Sequence, residues 1–358
     1  MVPLKRWLAV VVAVALAFLT PSSAQAAPAS EALTKAATYL TTTIGSADHL
    51  TSDFGNESIT ADAVLGLAAA HDPANDAVVK RLLDYLEKQA KAYTAKSPEG
   101  AAKLALVALA TGGDATSFGG VDLLAKVTGG IGKDGAFGAF PGAFAQSLGI
   151  IALSRAGQQV PEAMITWLLA QQGKDGGFGY AKGKPSDADN TGMAAIALAA
   201  LPGDAATAAL QKAVAWATKN QAADGSWAGY VPVNSTAVMG MGLIAAKSDP
   251  TKALDWLAGQ QLADGALPNA GKPDVLATAQ GMLLLAGQTY LSVSSTAEAE
   301  PATSASAAAT ASPAASASAS PARTTAPAGV PAWLWIVVLA LVAGGGALVL
   351  ARRAKGRS

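Results

Sequence analysis

The residues best placed to do chemistry form one run, Ser186-Asp187-Ala188-Asp189-Asn190-Thr191, at the entry to an apolar segment. Two carboxyl groups this close suit proton donation. One of them, raised by burial or by its neighbour's charge, can stay protonated and act as a general acid. Asp187 and Asp189 are the two candidates. The same run suits helix capping by Asp189 or Asn190, because such side chains accept from first-turn N–H groups and sit well at the positive end of the helix dipole. Ligand contact is the third reading. Tyr180, Tyr230 and Phe144 fall outside every repeated aromatic position and, with Asp187, Asp189, Asn234 and Gln146, form the candidate ligand-binding set. A glycan-cleaving pair would need a second carboxylate across a cleft, and nothing in the chain identifies one.

Other chemistries are excluded by what the 358 residues lack. There is no cysteine, so thiolate metal sites, thioesters and disulfides are absent, and packing alone must hold the fold. The only histidines, His49 and His71, lie 22 positions apart and read as a loop residue and a helix-end residue. No metal or cofactor is implied. A formal net charge of zero and 14% charged residues leave no basic excess for phosphate, so nucleic acid is not an expected partner.

The elements that must position these residues are repeats. Trp167, Gln172 and Asp175-Gly176 keep the register of Trp216, Gln221 and Asp224-Gly225, and of Trp256, Gln261 and Asp264-Gly265. A further copy keeps Asp134-Gly135 and Phe137 but has no Trp or Gln. The Asp residues at 134, 175, 224 and 264 are 41, 49 and 40 apart, the range of two-helix repeats. In each copy a segment such as Met164–Gln172 carries charge on one face and reads as an outer helix. After a Gly-rich turn with an aromatic wedge (Phe137, Phe178 or Trp227), a second segment such as GMAAIALAAL is apolar all round and reads as buried. Asp189-Asn190-Thr191 and Asn234-Ser235-Thr236 read as N-caps of these second helices. Ser52-Asp53-Phe54-Gly55 before Ile59–Ala70, and Ser97–Gly100 before Ala101–Ala110, extend the count to six hairpins over residues 31–293. Their small residues favour a closed ring over an open solenoid.

The ends read differently. Residues 1–26 have Lys5 and Arg6, the apolar run Leu8–Leu19 and a small-x-small site at Ala24-Gln25-Ala26, the pattern of a secretory signal. Residues 294–331 are Ala, Ser, Thr and Pro and form an expected unfolded stalk, with a reach on the order of 100 Å. Residues 332–351 are apolar or small, with Trp333 and Trp335 leading and the basic tail 352–358 following. This predicts a single membrane span with the N-terminal domain outside the cell and the C-terminus in the cytoplasm.

The Trp-x4-Gln-x2-Asp-Gly-x-aromatic register at Trp167, Trp216 and Trp256 resembles the QW-type repeats of the terpenoid cyclase and prenyltransferase superfamily, most clearly over 120–290. The resemblance implies an all-α, α6/α6 toroid, an inner ring of six helices within an outer six, with a pocket at one end of the inner ring. The run 187–191 looks like the Asp-x-Asp-Asp-Thr-Ala segment of squalene-type cyclases, which maps the proton donor onto Asp189; here Asn190 stands in place of the last acid and Gly192 in place of the Ala. The superfamily's prenyltransferase zinc site needs Cys and His and cannot be built here. A single helical domain and few aromatics also depart from the squalene-type enzymes. The expectation is an exported, membrane-tethered toroid that binds an isoprenoid- or cobalamin-like small molecule without catalysis. The runner-up is a divergent cyclase using Asp189, and the third is a stalk-displayed module for a protein partner.

Overall fold

The structure, a computed structural model, describes residues 23–53 and 55–295, with side chains from Ala29 on. The predicted span 332–351, the tail 352–358 and nearly all of the predicted leader and stalk lie outside the described residues. Among the described residues no helix is long and apolar enough to cross a membrane.

Among the described residues, twelve α-helices alternate between an outer and an inner position. The outer helices are α1 (Ser23–Ile44), α3 (Asp76–Tyr93), α5 (Leu123–Gly129), α7 (Glu162–Leu169), α9 (Asp204–Asn220) and α11 (Thr251–Gly259). The inner ones are α2 (Asn56–Ala69), α4 (Pro98–Ala110), α6 (Ala143–Arg155), α8 (Ala188–Ala199), α10 (Pro232–Ala245) and α12 (Val275–Leu285). Each inner helix packs on the next, and α12 packs on α2, so the ring closes. α1 starts inside the span predicted as leader, and its side chains join the core from Ala32 on. A two-residue antiparallel ladder, β1 (Pro268–Asn269) with β2 (Lys272–Pro273), precedes α12, and with two isolated bridges, Phe118 to Val121 and Ile131 to Phe137, makes up the extended pairing among the described residues.

One hydrogen bond recurs and explains the repeat. The residue that wedges into the core after each turn is buried, so its N–H must find a partner inside the protein. A side chain on the first turns of the inner helix supplies it: Thr60 accepts from Leu50, Thr191 from Phe178, Thr236 from Trp227 and Thr278 from Leu267, at 2.9–3.1 Å. The repeat Gln then fastens the turn to its neighbours. Gln172 Nε2 donates to Gly176 O and to Ala209 O on the next outer helix, and Gln261 Nε2 donates to Gly265 O and to Ala32 O of α1. That last bond joins the final repeat to the first. The turn glycine is required for two reasons. Gly265 has φ +89°, and a Cβ there would collide with Lys35 O, so only glycine lets the turn meet the neighbouring helix.

In the repeat that lacks the Gln, Gln146 takes over from the inner helix. Its Oε1 accepts from Phe137 N at 2.8 Å, the task of the Thr elsewhere. Its Nε2 donates to Gly135 O and Met164 O, the task of Gln172. Gln146, placed in the ligand-binding set from the sequence, is fully buried with both amide atoms engaged in the frame.

Replacing Gln146 by Leu strands one N–H and removes a donor from two carbonyls, so it should destabilise the domain by roughly 3 kcal/mol. Gln221→Leu, which removes the single bond to Gly225 O, should cost roughly 1 kcal/mol. Urea unfolding of the two variants checks this; equal losses would contradict the double role of Gln146.

Candidate functional site

The two ends of the ring are unlike. Across the C-terminal ends of α2, α4 and α6 runs a strap, residues 287–295. Arg155, the last residue of α6, donates to the carbonyls of Tyr290 and Val293, Ser295 N donates to Ala110 O, and Gln288 meets His71 just beyond α2. Tyr290 is buried beneath the ring. The opposite end, where the inner helices begin, is built from turns that touch one another: a Cβ on Gly142 would press on Tyr180 O, and Gly229 lies against Ser235 and Asp189. Of the large hydrophobic side chains, Phe140 and Tyr230 are exposed here, at 47% and 49%.

The acidic run opens α8, and the cap is Asp187. Its Oδ1 accepts from Asn190 N at 2.8 Å, whereas Asp189 and Asn190 both lie inside the first turn, so neither is the cap expected from the sequence. Asn234, Ser235 and Thr236 likewise lie inside α10, which begins at Pro232 with no side-chain cap. Two of these side chains instead reach the neighbouring inner helices: Ser235 Oγ donates to Asp189 Oδ2 on α8 at 2.9 Å, and Asn234 Nδ2 to Gln280 Oε1 on α12 at 2.8 Å.

Both acids are pushed up. Burial raises the Asp187 carboxyl to about 7, with the Asp189 charge adding to it and the Asn190 hydrogen bonds opposing. Burial raises Asp189 to about 6 against the pull of the Ser235 hydroxyl. Asn190 responds to the first of these. Its Nδ2 donates to both oxygens of Asp187, at 3.0 and 2.9 Å, while its buried Oδ1 has no hydrogen-bond partner among the described residues. An amide turned over would present Oδ1 to a protonated Asp187, so the same residue can serve either state of the acid.

The structure thus brings Asp187, Asp189 and the α10 residues together, and leaves the rest of the predicted set around them. Tyr180 is half-buried on the preceding loop, with Lys184 Nζ 5.9 Å from its ring centre. Tyr230 faces solvent, and Phe144 leans into the ring axis. Trp167 and Trp256 are half-buried and Trp216 is buried, its Nε1 donating to Asp175 Oδ2 at 3.1 Å. His49 stacks on Tyr85, centroids 4.4 Å apart, and His71, just beyond α2, meets Gln288. Sequence reasoning missed Ser235, Gln280 and the buried pair Asp62–Lys103. The signal was present: Asp62, Lys103 and Gln280 interrupt otherwise apolar segments at nearly one register.

No protein-family model matches this sequence, and no curated protein does. Solved structures do. A variant of the type II terpene cyclase MstE from Scytonema, in complex with geranylgeranyl dihydroxybenzoate, superposes with a TM-score of 0.59 at 15% identity, over 74% of this chain and 98% of that one. The fold is the terpenoid-cyclase α/α toroid. A protein from Actinoplanes matches this toroid with a TM-score of 0.56 at 15% identity, over 72% and 99% of the two chains. Haptocorrin in complex with Cbi matches with 0.51 at 12% identity, over 77% of this chain and 69% of that one.

Because both acids hold protons more tightly folded than unfolded, the folded state carries extra protons between about pH 4 and 7. Their contribution to stability is therefore present at low pH and lost as pH rises through that window. Asn can cap a helix as well as Asp. Asp187→Asn should thus unfold at higher urea than the parent at pH 8, with the gap closing towards pH 5. A variant less stable at pH 8 would mean that the ionised carboxylate is the favoured state.

Proposed function

We propose that the toroid is a binding module that takes an amphipathic small molecule at the N-terminal end of its inner ring. In this reading it stands outside the cell on the 294–331 stalk, carried by a membrane span at 332–351. The observation that carries the binding reading is the packing of the ring's axis. The cavity there, lined by Leu65, Leu106, Leu148 and Met193 and closed below by Tyr290, measures about 10 Å³. Enclosed ligand sites are on the order of 300–1,000 Å³, so a polyene could not be folded inside. A ligand is better accommodated across the ring's end, against Tyr180, Tyr230 and the acids. Haptocorrin, solved in complex with Cbi, is a protein of this fold that holds a ligand, though a shared fold does not by itself carry function.

One observation favours a second reading, a divergent cyclase. An Asp189 carboxyl raised to about 6 keeps a proton available near neutral pH, as a general acid requires. The two readings separate by variant. For a binding module, Tyr180→Ala and Tyr230→Ala each weaken ligand capture about tenfold, the scale of one well-buried contact. For a cyclase, Asp189→Asn abolishes turnover of a polyene while leaving its binding intact.

The deciding experiment is native mass spectrometry of the protein after exposure to a cell extract containing lipids and cofactors. A stoichiometric adduct that Tyr180→Ala and Tyr230→Ala lose supports binding. An apo mass with no thermal shift from isoprenoids or corrinoids rejects it, and favours a surface for protein partners.

A further inference from the structure

The two acids at the start of α8 lack a counter-charge. Asp62 on α2 is balanced by Lys103 at 2.8 Å, but no cation pairs with Asp187 or Asp189 among the described residues. The helices packed on α8 bring none: α10 has no charged side chain, Arg155 ends α6 at the strap, and Asp204, Lys212 and Lys219 of α9 are exposed. On the loop before α8, Lys182 and Lys184 are exposed, and Asp175 accepts from Ser186. The N-terminus of α8 supplies roughly half a positive charge, against two carboxylates. Burial without a counter-cation therefore holds both acids up, with the Asp189 charge adding at Asp187.

Asn190 marks what a ligand must bring. It is 1% exposed, and its Nδ2 is engaged with both oxygens of Asp187, which leaves a buried Oδ1 with no donor among the described residues. Turning the amide over moves the fault without curing it, since one end still lacks a partner. An acceptor left over beside two carboxylates calls for N–H donors and positive charge. A ligand anion would add repulsion and leave Oδ1 unmet. A calcium ion takes roughly six to eight oxygens, and no group of three or more His, Cys, Asp or Glu side chains is placed for a metal among the described residues. An ammonium carries charge and three donors together. Its approach is from solvent, not through the packed axis: Asp187 and Asp189 are half-buried, and Gly229, Tyr230 and Pro232 beside them are exposed. The aromatic faces suit such a head, for Lys184 Nζ already stands 5.9 Å from the Tyr180 ring centre.

We propose that the N-terminal end of the ring takes the ammonium head of a cationic amphiphile, its charge set against Asp187 and Asp189, its N–H groups answering the open acceptor of Asn190, and its apolar body lying along Tyr180 and Tyr230. The proposal rests on the N-terminal end of the ring being the ligand-binding end, and adds the sign of the ligand's charge.

The test titrates the full-length, isotopically labelled protein with butylammonium, butanol and butyrate, followed by NMR at the Asn190 side-chain amide. Butylammonium should shift that amide at pH 8 and bind at least tenfold more tightly than the other two. Its affinity should fall about tenfold or more from pH 8 to pH 5, because both acids take up protons over that range while the probe keeps its charge. Asp187→Asn, which keeps the helix cap, and Asp189→Asn should each weaken binding about tenfold, the loss of one hydrogen bond to a charged group. If Asp189→Asn does not fold, Asp187→Asn and the pH profile carry the same test. Butanol or butyrate binding as tightly, affinity independent of pH, affinity unchanged in the variants that fold, calcium displacing butylammonium at equal concentration, or no shift with any probe overturns the proposal. A neutral adduct in native mass spectrometry alongside silent butylammonium titrations would sink the cationic head and leave binding at the ring's end standing.

Discussion

The structure depends on satisfying the N–H of each wedge residue. Driving Phe178 or Trp227 into the core buries its own backbone donor, and an orphaned donor there would offset much of what the ring contributes. The hydroxyl of Thr191 or Thr236 meets that donor, so the turn and the inner helix are fixed to each other before any neighbour is considered. The Gln bonds then run outward from the same turn to the next outer helix, and Gln261 to Ala32 completes the circle. Gln146 shows the constraint most clearly. Where the sequence loses the usual Gln, one amide performs both tasks from a new position.

That frame makes the two ends of the ring unequal. The C-terminal ends of the inner helices are crossed by a strap that Arg155 pins through two carbonyls. Burial lowers the Arg155 guanidinium to about 10, which leaves it charged at neutral pH and able to hold them. The N-terminal ends remain exposed to solvent through loops whose glycines let them approach closely. The strap lies at the end of the ring opposite the acids and the exposed aromatics.

The inner helices carry little charge, and what they carry is concentrated. Asp62 and Lys103 face each other inside the ring, Gln280 holds Asn234, and Ser235 holds Asp189. A buried ion pair is a poor source of stability compared with an apolar pair of similar volume. The retention of one beside a cavity, in helices otherwise built of Ala, Leu and Gly, is the kind of local inconsistency that marks function more often than folding.

Much of this was legible in the sequence. The Trp, Gln and Asp-Gly register required two-helix repeats, because only that spacing returns a turn glycine to the same place against the next helix. Apolar second segments required inner helices, since a helix without a polar face must be buried all round. The placement of the acids in the turn before such a segment put them at a helix start. Tertiary structure decided the rest. Capping depends on φ and ψ at one residue, and Asp187, extended at φ −135° and ψ 166°, took the cap that the sequence pattern assigned to Asp189 or Asn190. The partners of Gln146, Asn234 and Ser235 lie on other helices, so no local pattern could separate a frame residue from a ligand contact. The Asp62–Lys103 pair joins positions 41 apart, and only the packing of α2 on α4 brings them within 2.8 Å.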